Sequence, residues 1–437
     1  MMSREYVGQS LPRYNGLGQV TGTTTYVDDI TLPGMHYIKC LGSPVHKGVI
    51  RKLDFSAAEK VPGVVGFLTA ADIPGVNTYG KYNDMPVFNA GHLRFKGERI
   101  AAVVAVDEDT CMEALEKVKL EVEEQTPVFD MFEAIKPGAP LVRPGSTDNY
   151  WDYDGKGKTL RVLRLGDIEK GFKEADYIIE GRYFTGAQDH AAIEPHVSVA
   201  YIDDSGRLAI HTTSQCLYFQ LGQLAPILNL PMSQIRYIGG TVGGGFGGKN
   251  DIHADHVAAL AALKFRKPVK YRWTRREDLR YSTKRGPFVF DYKDGVRKDG
   301  RILARYIRLW HETGAYGGMS AYATEKGGMF AAGPYGIPNI LVEANTIYTN
   351  KPVASSMRGF SVINGQCAAE LQMGRIAETI GMDPWELRFI NAWRDGELGV
   401  SQYVVRGAGA IEAMKKAAEL AGIQLPAHLM AMSSRGR

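Results

Sequence analysis

Seven residues, Gly243-Gly-Gly-Phe-Gly-Gly-Lys249, constrain this chain more than any other stretch. Five glycines around one aromatic leave backbone N–H groups uncovered by side chains. An Ala/Val/Leu helix is expected from about Asp251 to Lys264 and follows directly, so the loop would sit at the positive end of a helix dipole. Such a loop seats an anion or an oxo ligand, with Phe246 able to pack on something planar. The plainer alternative is a tight turn whose glycines serve packing alone. A phosphate loop is a sharper rival, because the run formally satisfies G-x-x-x-x-G-K. Asn250 then stands where that motif needs a hydroxyl for Mg²⁺, and no second acidic strand end is evident, which disfavours a nucleotide-binding ATPase.

The rest of the composition narrows the class. A chain of 437 residues with 44% hydrophobic content has room for roughly two to four domains and a sizeable core. Its 50 glycines cluster instead of spreading through linkers. A net charge of +4 without any Lys/Arg block points to neither nucleic acid nor a membrane surface. Cys40, Cys111, Cys216 and Cys367 are far apart and form no CxxC pair, which argues against a zinc ribbon, a four-Cys iron–sulfur site and a disulfide framework. Met1 to Val20 lacks an apolar signal core, and no run of about 18 apolar residues occurs. These features predict a soluble cytoplasmic protein in a reducing compartment.

The pattern along the chain is α+β. Short β patterns and helices alternate to about residue 130, including β-rich Val20–Val27, a buried strand at Ala101–Val106 and a helix opened by Asp107. Residues 131–168, rich in Pro, Gly, Asp and Asn, read as a connector. The part from 169 to 437 opens with a strand at Tyr177–Tyr183. A hairpin follows over Val197–Asp203 and Leu208–Thr213, then a helix over Leu217–Leu228. A β pair is expected around Tyr292–Gly300 and Ile302–Trp310, then a Gly/Ala-rich stretch at 313–334. Helices should cover Gly365–Ile380 and the segment after Asp383-Pro384. His253 and His256, with Asp251, are spaced to share a helix face, but no third metal ligand is identifiable, so they read as helix-surface histidines.

Four ordered segments carry a family resemblance. Val242–Lys249 resembles the molybdopterin loop of the molybdenum hydroxylases, the xanthine dehydrogenase/aldehyde oxidase family that includes nicotinate dehydrogenases. Gln188-Asp-His-Ala-Ala-Ile-Glu-Pro-His196 resembles the family's Gln-Glu-His…Glu segment, and Ser356-Met-Arg-Gly-Phe360 its Arg-Gly-Phe loop. The stretch from Gly18-Gln-Val-Thr-Gly22 through Leu32-Pro-Gly34 and Pro62-Gly-Val-Val65 to Thr69-Ala-Ala-Asp72 resembles its a/b hammerhead domain. The fold so implied is an a/b hammerhead domain (1–130), a connector (131–168) and the first half of a molybdopterin-binding domain (169–437).

The resemblance also implies roles. Gln188 would donate a hydrogen bond to a molybdenum oxo ligand. The main chain of Gly244, Gly245, Phe246 and Gly247 would approach the metal's ligands and the pterin. Arg358 and Gly359 would sit by the pterin, and Phe360 would wall the substrate pocket. Thr212–Gln215 resembles a further segment near the cofactor. Two departures bear on substrate: purine-oxidising members have a glutamate where this chain has Asn250, and an arginine where it has Lys326. Lys326 is instead expected to hold a substrate carboxylate as a point charge, which tilts the substrate toward an N-heteroaromatic acid such as nicotinate. Aldehyde or purine oxidation, and a non-catalytic scaffold, remain as alternatives. The family's general base, a glutamate near the end of the full-length subunit, has no counterpart before Arg437. A subunit naturally split across two polypeptides is favoured over a truncated gene product, and the expected partners are a second molybdopterin subunit supplying that glutamate, an Fe–S subunit and an FAD subunit. The expected cofactor is molybdenum with molybdopterin, in its cytosine dinucleotide form.

Overall fold

The computed structural model describes residues 6–151 and 161–435. The strand expected at Ala101–Val106 runs over Arg99–Ala105 and is buried at all its positions, as a strand covered on both faces must be. It lies in a seven-stranded sheet of order Ile235–Gly239, Leu208–Thr212, Val197–Ile202, Val269–Arg272, His36–Gly42, Arg99–Ala105 and Val64–Leu68. The seam of that sheet is the parallel pairing of His36 with Val269 and Tyr37 with Lys270. Strands from the first 130 residues and strands after residue 197 therefore share one hydrogen-bonded layer. The helices Leu217–Leu228 and Asp255–Phe265 supply side chains to its core.

A second sheet has the order Tyr177–Thr185, Phe288–Val296, Ile302–Gly314, Asn339–Tyr348 and Arg161–Leu165. Helices Ser320–Phe330 and Val362–Ile380 pack against it. Val128, Met131, Val142 and Trp151 pack with Trp310 and Ile347 in a separate cluster. Residues 131–151 thus lie against this sheet, and Arg161–Leu165 adds its last strand.

Three local expectations differ. Val20–Val27 is not a strand: a helix spans Gly16–Thr21 and ends on Gly22, whose φ of 72° places its N–H on the Gly18 carbonyl. Tyr26 keeps a single β-bridge, to Thr241. The Gly/Ala-rich 313–334 stretch contains a helix, Ser320–Phe330. Its internal glycines answer to packing, since a Cβ on Gly327 would stand 3.2 Å from the Phe288 ring. The helix after the glycine loop begins at Asp255, not Asp251, and is buried through Ala262. A helix apolar on all sides belongs in a core. His253 (2% exposed) and His256 (0%) are accordingly core residues, not surface ones. Burial pushes both rings well below the usual histidine range, and His253 lies edge-on to His196 at 4.4 Å. Among the described residues no His/Cys/Asp/Glu group could hold a metal.

At the centre of the second sheet Arg305 and Asp294 are both fully buried. Arg305 Nε donates to Asp294 Oδ1 at 2.7 Å and its NH1 to the Ala332 carbonyl at 2.8 Å, while Gln372 Nε2 donates to Asp294 Oδ2 at 2.7 Å. A buried pair with its remaining hydrogen bonds satisfied is tolerated, but an orphaned partner is not. Asp294→Ala is expected to lower unfolding free energy by about 3–5 kcal/mol, read from the urea midpoint at neutral pH.

Candidate cofactor site

Three segments far apart in sequence meet at one place. The backbones of Gln188 and Arg285 form a β-bridge, with Arg285 N donating to Gln188 O at 2.9 Å. The Arg285 guanidinium reaches on to the Arg358 carbonyl at 2.6 Å and to Asn364 Oδ1 at 3.1 Å. Arg358 N in turn donates to the Phe246 carbonyl at 2.8 Å. The residues expected to face one cofactor, Gln188, Phe246 and Arg358, are thus joined through main-chain and guanidinium hydrogen bonds. Arg285 itself carries no motif; nothing in its sequence surroundings marks it.

The glycine loop is held from behind. Gln215 Oε1 accepts from Gly247 N at 3.0 Å and Lys249 N at 3.3 Å. Gln220 Nε2 donates to the carbonyls of Lys249, Asn250 and Asp251 at 3.0, 3.2 and 2.8 Å. Lys249 is 1% exposed, and its ammonium donates to Glu194 Oε2 at 2.7 Å. Burial pushes this ammonium's pKa down, against the opposing hydrogen bond and charge of Glu194. A lysine so committed does not reach a phosphate, which removes the phosphate-loop reading. The same Glu194 oxygen accepts from Gly243 N at 2.7 Å. Glu194 lies inside the 188–196 motif, yet its type alone gave no sign of this role.

The glycines are glycines largely because of this support. A Cβ would stand 2.7 Å from Glu194 Cβ at Gly243 and 2.5 Å from Gln215 Oε1 at Gly245. At Gly247 it would meet Ser356 Oγ, and at Gly248 His190 Cγ, each at 2.8 Å. Gly244 and Gly247 also need φ near 100°. The packing explanation therefore accounts for most of the run, and the helix dipole contributes little, since its helix starts at Asp255. What faces outward is narrower than the sequence implies. Among the described residues the amides of Gly244, Gly245 and Phe246 have no protein partner. The Phe246 ring, on a left-handed backbone of φ 52°, is 46% exposed. Gln188 and Arg358 expose their side chains beside it. Free donors, an open ring face and a guanidinium fit a flat, anionic, oxo-bearing group.

The expected substrate residues divide. Phe360 lies 6.4 Å from Tyr322 on helix Ser320–Phe330, the helix that also exposes Lys326. Asn250 is engaged at both ends of its amide, donating from Nδ2 to Ser356 Oγ at 3.0 Å and accepting the Cys216 thiol at 3.3 Å. It fastens the Arg358 loop to the glycine loop. His190 fastens the 188–196 segment to the same Arg358 loop through the Ser356 carbonyl at 2.7 Å.

An aromatic set on a glycine loop, with an amide, a guanidinium and free N–H groups around it, is an arrangement suited to a planar anionic group. Comparison with known proteins gives the family. Residues 21–126 match the aldehyde oxidase and xanthine dehydrogenase a/b hammerhead domain, and residues 153–392 the molybdopterin cofactor-binding domain. The chain is 34% identical over 424 residues to the nicotinate dehydrogenase large molybdopterin subunit of Eubacterium barkeri, covering 96% of this chain and 98% of that one. It is also 34% identical over 388 residues to a probable xanthine dehydrogenase chain of Bacillus subtilis, covering 89% of this chain but 51% of that one. The aldehyde oxidoreductase structure from Desulfovibrio gigas superposes with a TM-score of 0.88 at 29% identity, covering 94% of this chain and 46% of that one. The chain belongs to the xanthine dehydrogenase/aldehyde oxidase family of molybdenum-dependent oxidoreductases.

Two outcomes test the support. Glu194→Gln leaves a buried ammonium without its counter-charge and is expected to cost about 3 kcal/mol; adding Lys249→Met should restore most of it, by urea denaturation. Asp278 accepts from His196 Nδ1 at 2.6 Å and from Arg275 at 2.6 Å. Burial raises its pKa, but the His196 bond and charge, with Arg275 and Lys284, hold it below the ordinary 3.8. A depressed carboxylate stabilises the fold above its unfolded pKa and loses that contribution as pH falls through the folded value. Asp278→Asn should therefore lower the urea midpoint at pH 7, and the gap from wild type should close below about pH 4.

Proposed function

We propose that this chain is the large molybdopterin subunit of a multi-subunit hydroxylase acting on an N-heteroaromatic acid of the nicotinate type. The observation that carries the reading is the near end-to-end match to the nicotinate dehydrogenase large molybdopterin subunit, where the probable xanthine dehydrogenase chain of Bacillus subtilis is matched over 51% of its length and the xanthine dehydrogenase/oxidase of Gallus gallus over 28%. The substitution of lysine for the purine enzymes' arginine at 326, and the engaged amide at Asn250, argue against a purine held by an acid–cation pair.

When bound, the molybdenum–pterin supplies two-electron oxidation of an electron-poor ring carbon, with water as the oxygen source. The chain's own residues bind and orient. Gln188 donates its amide to the polar edge of the cofactor. The free N–H groups of Gly244, Gly245 and Phe246, with the Gly247 main chain, seat it. Arg358 and Gly359 flank the pterin. Phe360 presents a ring for stacking against a flat substrate, and Lys326 holds its carboxylate as a point charge. The general base is a glutamate of a second molybdopterin subunit, which takes the proton from the attacking water. Fe–S and FAD subunits carry the electrons away, and the pterin is the cytosine dinucleotide form. Cytoplasmic assembly accords with four free cysteines and with the lack, among the described residues, of any helix able to cross a membrane.

The chain expressed alone is expected to hold well under stoichiometric molybdenum, and co-expression with the second molybdopterin subunit to restore it, by elemental analysis of the purified protein. Full occupancy in the single chain would overturn the shared site. In the assembled enzyme Lys326→Ala should raise KM for nicotinate about fivefold with kcat near wild type. An unchanged KM would remove Lys326 from the site.

A further inference from the structure

The first 130 residues reach the substrate face as well. The Lys81 ammonium lies 5.3 Å from the centre of the Tyr322 ring. The Tyr322 ring lies 6.4 Å from Phe360 at an interplanar angle of 49°. Tyr322, Lys326 and Phe330 recur every four residues on helix Ser320–Phe330 and so share one of its faces. Lys326 Nζ lies 6.0 Å from the centre of the Phe330 ring, one turn further on. Two ammonium groups from distant parts of the chain therefore sit over rings on one face of this helix, Lys81 over Tyr322, which neighbours Phe360, and Lys326 over Phe330.

Neither cation is neutralised by a protein carboxylate among the described residues. The acidic residues nearest in sequence are engaged elsewhere. Glu325 pairs with Arg161 at 2.7 Å, and Asp84 Oδ2 accepts from Gly317 N at 2.8 Å. Lys81 is exposed, but its loop is fixed on both sides. Gly80 N donates to Gln223 Oε1 at 2.8 Å, and Tyr82 lies edge-on to Trp151 at 4.7 Å. The Asp84–Gly317 bond ties the same loop to the residues just before the helix. Uncompensated charge on a fixed loop beside an open ring is an arrangement for an incoming anion with a flat body.

We propose that Lys81 is a second carboxylate-binding residue of the substrate mouth, acting with Lys326 across the Tyr322–Phe360 surface to favour planar aromatic carboxylates over neutral rings of the same shape. This rests on the reading that Lys326 and Phe360 face substrate. Lys81 contributes attraction and orientation at the entrance and touches no reacting atom.

The test is equilibrium binding of nicotinate and of its neutral isostere nicotinamide to the purified multi-subunit complex, followed by ligand-observed NMR titration. Wild type is compared with Lys81→Met and Lys326→Met, which keep an unbranched side chain without the charge. The nicotinate Kd is expected to rise about fivefold in each variant, and nicotinamide to change less than about twofold. Raising the salt should weaken nicotinate binding to wild type more than to either variant. An unchanged nicotinate Kd in Lys81→Met, with a raised one in Lys326→Met, overturns the inference while the proposed activity stands. Weakened binding in Lys81→Met, with bound nicotinate left unoxidised by wild type, supports the inference and overturns the activity. Failure of wild type to bind nicotinate overturns both.

Discussion

The buried ammonium of Lys249 sets the terms for the loops around it. An unpaired charge at that depth would cost several kcal/mol, so Glu194 must stand 2.7 Å away. Once there, Glu194 also takes the Gly243 amide, and its own stem fills the space a Cβ on Gly243 would need. One ion pair thereby fixes the start of the glycine loop, the end of the loop and the 188–196 segment relative to one another. His196 adds a second fastening, with one ring nitrogen on Asp278 and the other on the Gly248 carbonyl at 3.1 Å. Arg275 closes the ring by binding Asp278 and the carbonyls of Ala192 and Ile193. The charged groups here are structural; they hold the backbone so that uncharged amides can face a ligand.

Sequence pattern reached the regular elements where one periodicity dominates. The helix at Leu217–Leu228 and the hairpin at Val197–Ile202 and Leu208–Thr212 follow from amphipathic and alternating patterns with a clear turn between them. Asp383-Pro384 caps its helix as expected, with Asp383 Oδ1 accepting from Trp385 N and Glu386 N. Pattern failed where tertiary packing chose the residue. Gly327 and Gly328 look like loop residues but permit a helix to lie on the second sheet. His253 and His256 look like surface positions only if the following helix has a wet side, which it lacks.

The site divides along the same line. Gln188, Phe246 and Arg358 stand out in the sequence because each sits in a short motif with its own composition. Their mutual arrangement depends on Arg285, Gln215 and Gln220, which bind carbonyls and amides from a distance in sequence and leave no local signature. The glycine run shows how one composition can answer to two physical reasons. Its composition drew notice as an uncovered backbone. Four of its five glycines are required by side chains pressing from the protein side, and three amides remain for a ligand.

The shared sheet gives these details a common physical basis. Because His36–Gly42 pairs with Val269–Arg272, three strands of the first 130 residues share one hydrogen-bonded layer with the strands that precede and follow the glycine loop. Residues 79–85, which carry Lys81, are fastened to Gln223 on one side and Gly317 on the other. A displacement of the first domain would have to break backbone pairing, not slide along a side-chain interface. Groups contributed from both parts of the chain can then hold a fixed separation without a cofactor to define it, and that preorganisation is what makes an exposed cation useful for orientation. The open face is hydrogen-bonded from behind and presents free amides, a guanidinium and exposed rings in front, a division of labour that keeps donors and ring faces available to a ligand.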